Sequence, residues 1–189
     1  MKKNERGPGT NNSEGFGVLE VLAALFVVTI ALTALLALFG HAISTMTLMQ
    51  DLLIAKQKSR EALESIYTAR NTQQISFDDI QNTSDSGIFL EGFQPLRQAS
   101  TDGLIGTADD NGTAVESIIL PGPDGYLNTG DDEERFLTAF ERQIQIDPIL
   151  FADSTVNPDV RKIMVSIRYS NPVGGQETYE VESYISRYR

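Results

Sequence analysis

Residues 16–39 read FGVLEVLAALFVVTIALTALLALF, a run of 24 residues with one charged side chain, Glu20. As a helix this run is about 36 Å long at roughly 1.5 Å per residue, enough to cross a hydrocarbon layer of about 30 Å. Soluble core helices are seldom apolar on every face over such a length, so the run is read as a membrane span. The preceding residues 1–15 are polar, with Lys2, Lys3 and Arg6 near the start. That leader stops at Gly15 and the apolar run begins at once, whereas a secretory signal peptide is cut after its apolar segment. A lone carboxylate costs on the order of 3 kcal/mol near the middle of a membrane helix and is usually functional. Glu20 stands one turn inside, where it can pair with the ammonium group created by a cut before Phe16.

Helix is expected to continue beyond the span. Gly40 is the only glycine between Gly17 and Gly87, and no proline occurs between Pro8 and Pro95. Met49, Leu52, Ala55, Ser59, Ala62, Ile66 and Ala69 recur at spacings of three and four and share one stripe. Lys56, Lys58, Arg60, Glu61 and Glu64 largely occupy the other faces. An unbroken helix over residues 16–70 would be roughly 80 Å long. After Asn71 the texture changes to loops and strands. Segments 76–80 and 88–93 are weak strand or turn candidates, and 116–120 is a short strand candidate. Segments 136–146, 162–169 and 177–188 are richer in β-branched and aromatic residues. Ile163, Val165, Ile167 and Tyr169 alternate with more polar neighbours, and 171–175 reads as a hairpin loop. The expected fold class is α+β, a long N-terminal helix packed against a small antiparallel β-sheet.

Charge and composition narrow the function classes. Lys and Arg total 15 against 26 Asp and Glu, a net charge of −11. That balance argues against nucleic acid as a partner, which rewards clustered cations. The chain has no cysteine and a single histidine, His41. Disulfides, thiol nucleophiles and multi-histidine zinc sites are thereby excluded within one chain. No Gly-x-Ser-x-Gly elbow, P-loop or dinucleotide fingerprint is present, and nothing in the acidic pairs gives a reason for a raised pKa. The chain is read as a non-enzyme. Arg161, Lys162, Arg168, Arg187 and Arg189 bias the C-terminal strands toward positive charge. This is read as edge protection and solubility, with attraction to acidic loops of a neighbouring subunit as the alternative.

Those acidic loops form a repeat. Residues 98–134 contain nine acids and no Lys or Arg, and hold DGLIGTADD at 102–110 and DGYLNTGDD at 124–132. The glycines permit tight turns, so the first and last aspartates of each copy can approach each other. Calcium takes six to eight oxygen ligands from carboxylates, carbonyls and water. Asp102, Asp109 and Asp110, and likewise Asp124, Asp131 and Asp132, are the candidate calcium ligands, with Thr107 and Thr129 beside them. The spacing is neither that of an EF-hand nor that of a stacked calcium β-roll. The alternative is solvent-facing turns whose acids keep the surface soluble.

The Gly15–Phe16 junction, with Glu20 as the fifth residue after the glycine, resembles the class III signal of type IV prepilins and of type II secretion pseudopilins. The resemblance extends over residues 1–70. EVLAAL from Glu20 and KSREALE from Lys58 are most similar to minor subunits of the PilV and pseudopilin I kind. It implies that prepilin peptidase cuts after Gly15 and methylates Phe16, and that Glu20 registers the subunit in a growing filament. It also implies a type IV pilin-like fold. The implied domains are a cleaved leader (1–15), a membrane and filament-core helix (16–40), its amphipathic continuation (41–71) and a β-rich periplasmic domain (72–189) with acidic loops at 101–134. The expected partners are other pilin or pseudopilin subunits, the peptidase and an inner-membrane assembly platform. The expected location is the inner membrane, single pass with the N-terminus cytoplasmic and the C-terminal domain periplasmic, and then a pilus or pseudopilus, with the cell surface as a further site. A minor pilin is the leading function. A minor pseudopilin of a type II secretion system and a non-filament, single-pass envelope protein with a calcium-binding periplasmic domain are the alternatives.

Overall fold

A stretch with no proline and one glycine folds as a single helix, α1, over Val18–Asn71 in the computed structural model, which describes residues 17–171 and 174–188. Glu20 in the first turn and Arg70 in the last complement the helix dipole. The helix ends on a Schellman motif. Gln73 adopts φ 63°, the Gln74 N–H donates to the Ala69 carbonyl at 2.9 Å and the Gln73 N–H to that of Arg70 at 3.3 Å. Glutamine thus holds the left-handed position that glycine usually takes. The chain divides into two compact units, with the boundary between Ile43 and Ser44. In the first, every described residue through Ile43 is exposed.

The second unit, Ser44–Arg189, holds the buried core. Its strands are β1 (Gln94–Pro95), β2 (Ser117–Leu120), β3 (Glu133–Phe136), β4 (Phe140–Leu150), β5 (Val156–Ser170) and β6 (Gln176–Ser186). A four-stranded antiparallel sheet has the order β1-β4-β5-β6, and β2 and β3 form a separate antiparallel ribbon. Phe140, Ile144 and Ile146 of β4 stand opposite Tyr169, Val165 and Ile163 of β5, so one face of the sheet is apolar except where Arg142 faces inward opposite Ile167. Ala55, Ser59, Ala62, Ile66 and Ala69 of α1 are buried with it. Four of these five side chains are small, which lets a helix backbone come close to a sheet. Each large apolar group buried here contributes about 1.5–3 kcal/mol. The arrangement is α+β, as expected.

Several local expectations shift. The stripe on α1 holds at Ala55, Ser59, Ala62, Ile66 and Ala69, but Met49 is 54 % exposed, and Asp51, Ile54 and Lys58, which lie off the stripe, are buried. Lys58 and Asp51 go inward because each finds an ionic partner there. Segment 76–80 is turn, and in 88–93 only Phe89 makes β-bridges, to Asn82 and Thr107. The expected strand at 136–146 begins instead at Phe140. The Phe140 N–H donates to the Leu137 carbonyl at 3.1 Å, a turn that separates β3 from β4. The open flank of β4 is covered by a side chain. Buried Asn82 donates to the Ile144 carbonyl and accepts from the Ile146 N–H, both at 2.8 Å, in place of a neighbouring strand.

Candidate functional site

The apolar half of α1 is long and apolar enough to cross a membrane, and none of that window is buried. Leu19 is 84 % and Phe26 69 % exposed. Two polar side chains in it are satisfied inside the helix, Thr29 by the Leu25 carbonyl and Thr33 by that of Ile30, each at 2.8 Å. No water is needed to solvate either hydroxyl, which suits a hydrocarbon surrounding. Glu20 lies in the first turn, where its N–H donates to the Gly17 carbonyl at 3.0 Å. Gly15 and Phe16, the expected cleavage junction, lie outside the described residues.

Both acidic repeats fold into the same loop. In the first, Asp102 accepts from the Leu104 N–H at 3.0 Å, and Asp110 accepts from those of Gly106 at 2.8 Å and Thr107 at 3.3 Å. In the second, Asp124 accepts from the Tyr126 N–H at 2.8 Å, and Asp132 from those of Asn128 at 2.6 Å and Thr129 at 3.3 Å. Thr107 donates to Asp109 at 2.6 Å, and Thr129 to Asp131 at 2.7 Å. Gly103 and Gly125 have φ 72° and 74°, and Gly106 and Asn128 have φ 88° and 65°. Asparagine therefore replaces glycine at a left-handed position that it tolerates.

Within each copy the first aspartate is brought to the first of the closing Asp-Asp pair. Ser100 Oγ bridges Asp102 and Asp109, and Asp131 accepts from the Asp124 N–H at 3.3 Å. The Ser100 and Thr107 hydroxyls hold Asp109 below the usual carboxylate range, and the Thr129 hydroxyl with the Asp124 N–H does so for Asp131. These carboxylates spend their lone pairs on donors of the loop itself. Among the described residues, no three His, Asp or Glu side chains are grouped so that they could hold a metal ion.

The copies differ in what they bury. Leu104 and Ile105 of the first loop are 1 % and 4 % exposed, whereas Tyr126 and Leu127 of the second are 72 % and 55 % exposed. One loop plugs the core of its own chain; its twin presents the same two positions to the outside.

Sequence reasoning missed a buried ionic cluster. Glu116 lies between Lys58 at 2.6 Å and Arg142 at 3.1 Å, with side chains 5 %, 9 % and 5 % exposed. Lys58 also meets Glu61 at 2.8 Å, and nearby Arg135 reaches buried Asp51 at 2.8 Å. Burial alone would pull the Lys58 ammonium down, but its hydrogen bonds to Glu116 and Glu61 and their charges outweigh that and raise it. One signal was available: Arg142 occupies an inward position in the alternation Phe140, Arg142, Ile144, Ile146.

The basic residues of the C-terminal strands are engaged within the chain. Arg168 pairs with Glu141 and lies 3.9 Å from the Phe93 ring centre. Lys162 meets Asp147 at 3.4 Å and Glu182 at 3.7 Å. Arg161 and Arg187 stand 4.4 and 4.8 Å from the Phe77 ring centre, and Arg187 pairs with Asp78 at 2.8 Å. Arg189 lies outside the described residues. No family model matches the chain, and no curated protein and no solved structure is detectably similar to it.

Proposed function

We propose that the chain is a minor pilin-like subunit, anchored in the inner membrane by the apolar half of α1, processed after Gly15 and built into a type IV filament. One observation carries this reading. A single 54-residue helix passes from an apolar half with no buried residue to a half whose inner stripe is buried in an α+β core, and Glu20 stands in its first turn. The apolar side chains need lipid before assembly and partner helices after it. A carboxylate placed one turn into that surface has a use only if a cation comes to it, and a cut before Phe16 supplies one. The role is structural, as initiator, modifier or tip-associated component.

Intact-mass measurement after co-expression with a prepilin peptidase tests the processing step. Loss of residues 1–15 with methylation of Phe16 is the expected result. A mature chain that keeps its leader favours a single-pass envelope protein instead, and a cut after Phe39, which removes the span, overturns both readings. Substituting Glu20→Ala is expected to preserve membrane insertion and to lower incorporation into sheared filaments, since the Phe16 ammonium loses its partner.

A further inference from the structure

Three asparagines stand two residues ahead of a hydroxyl side chain with no proline between: Asn11, Asn82 and Asn111. That spacing is the acceptor pattern for N-linked glycans, and it is short enough to arise by chance, so the surroundings must decide. Asn11 belongs to the leader, which the filament reading removes. Asn82 is 7 % exposed, and its amide holds the Ile144 carbonyl and the Ile146 N–H, so a sugar there would undo the flank of β4. Asn111 is the opposite case. It is exposed in the 3-10 helix Ala108–Gly112, and its side-chain amide bonds nothing among the described residues. Gly112 beside it is exposed too, and beyond its own turn no atom lies within 4 Å of where a side chain would begin. A bulky, solubilising group has room here. We propose that Asn111 carries an N-linked oligosaccharide, added as the second unit is exported.

The residues just ahead of Asn111 separate it from the other two. Bacterial oligosaccharyltransferases read a carboxylate two places before the acceptor as well as the hydroxyl two places after it. Asp109 stands there for Asn111, against Ile80 for Asn82 and Gly9 for Asn11. The distinction matters because burial acts too late to choose. In the folded unit the Thr113 hydroxyl lies 2.6 Å from the Gln98 carbonyl and 2.9 Å from that of Asp110, so it is not free to be read. Asp109 is likewise held by the Ser100 and Thr107 hydroxyls. The pattern is therefore open only before residues 98–113 close, when Asn82 is equally open. An acid at one site and its absence at the other spare the asparagine that β4 needs. The asparagine that the acid marks is also the one that the folded surface leaves free.

The transfer takes a polyprenyl-diphosphate-linked oligosaccharide as donor. The Asn111 amide nitrogen forms a C–N bond to the anomeric carbon of the first sugar as the C–O bond to the diphosphate breaks. The diphosphate leaves with the bonding electrons, and the amide gives one proton to a basic group of the transferase. No oxidant or reductant is required. The donor is presented on the exported face of the membrane, so the site rests on the proposed function for placing the second unit on that side. Nothing in the loop frame uses the Asn111 amide, so the unit can fold with the glycan in place.

The full-length chain, with an acceptor tag of sequence Asp-Gln-Asn-Ala-Thr appended after Arg189, is co-expressed with a bacterial oligosaccharyltransferase and a polyprenyl-diphosphate-linked heptasaccharide. Intact mass counts the glycans, and peptide mass spectrometry places them. Expected is one heptasaccharide at the tag and one at Asn111, with occupancy at Asn82 at least ten-fold lower. Asn111→Gln is expected to remove the second glycan and to leave the tag modified. Thr113→Ser and Asp109→Glu are expected to keep it, whereas Asp109→Asn should lower its occupancy at least ten-fold. Unchanged occupancy in Asp109→Asn overturns the acid's part in the choice. A modified tag with a bare Asn111, or sugar at Asn82 instead, overturns the site alone. Neither position modified means that the second unit is not exported, which overturns the site together with the membrane orientation. A glycan at Asn111 in a chain whose leader survives the peptidase experiment rejects the prepilin assignment alone.

Discussion

Glu116→Gln tests the buried cluster most directly, because it removes one negative charge from between two cations. Lys58 keeps Glu61, whose side chain is 45 % exposed, as a second carboxylate at 2.8 Å. Arg142, only 5 % exposed, is left facing an amide. Breaking a buried pair from one side typically costs about 3–5 kcal/mol, and the partner left to Lys58 places this case near about 3. For a unit of this size that corresponds to a fall in melting temperature of about 6–12 °C. All six tyrosines lie beyond Ser44 and the chain has no tryptophan, so tyrosine fluorescence reports the second unit without interference from the apolar helix. Asp51→Asn is the comparison. Its partner Arg135 is 32 % exposed and can turn to water, so the loss should be about 1 kcal/mol. Lys58→Met should also cost less than Glu116→Gln, since Glu116 retains Arg142. If Glu116→Gln melts within a degree of the unaltered chain, or above Asp51→Asn, the cluster does not hold two cations around one carboxylate as described.

Three further predictions follow from the same geometry. Asn82→Ala strands the Ile144 carbonyl and the Ile146 N–H in a buried setting, so urea unfolding should show a loss of about 2–4 kcal/mol; a loss below about 0.5 would mean that water replaces the amide. Asp109 and Asp131 titrate below the ordinary 3.8, so their contribution is present above that pH and is lost as pH falls through the lower folded values. Asp109→Asn with Asp131→Asn should flatten the acid limb of a stability–pH curve below about pH 4, and an unchanged limb counts against the hydroxyl bonds. Calcium binding by the acidic loops is a separate proposal. It requires aspartates to exchange loop donors for the ion, which implies an affinity no tighter than about 0.1–1 mM, and a saturable rise in melting temperature that sodium chloride at matched ionic strength does not reproduce. Equal shifts in both salts would reduce the loops to self-closed turns.

What the amino-acid order disclosed tracks how local each signal is. Helix α1 was legible because proline is absent, glycine nearly so, and the apolar pattern is long. The β5–β6 hairpin was legible because Ile163, Val165, Ile167 and Tyr169 alternate. The repeat was legible as a loop because Asp-Gly and a closing Asp-Asp are turn chemistry within nine residues. Inward-pointing charges were not. Lys58 looks like any exposed lysine until Glu116, 58 positions later, and Arg142 are brought to it by the sheet. Nor was the role of Asn82, whose partners in β4 are more than sixty residues away. The strand start slipped for a related reason: Leu137 bonds the distant Glu116 carbonyl, and the chain turns back at Phe140 before pairing with β5.

The two acidic loops carry a consequence for how this molecule can vary. Each is tied by backbone and polar groups of the loop, joined in the first copy by Ser100, and the side chains of the apolar pair at the third and fourth positions play no part in that frame. Such a loop behaves as a detachable cassette. In the first copy the pair is locked by the core around Leu104, and change there is penalised by unfolding. In the second, Tyr126 and Leu127 lie mostly outside the core, so selection can rewrite those two letters at less cost to the scaffold. Descendants of one ancestral subunit can thereby diverge in surface chemistry at this point faster than they diverge in architecture.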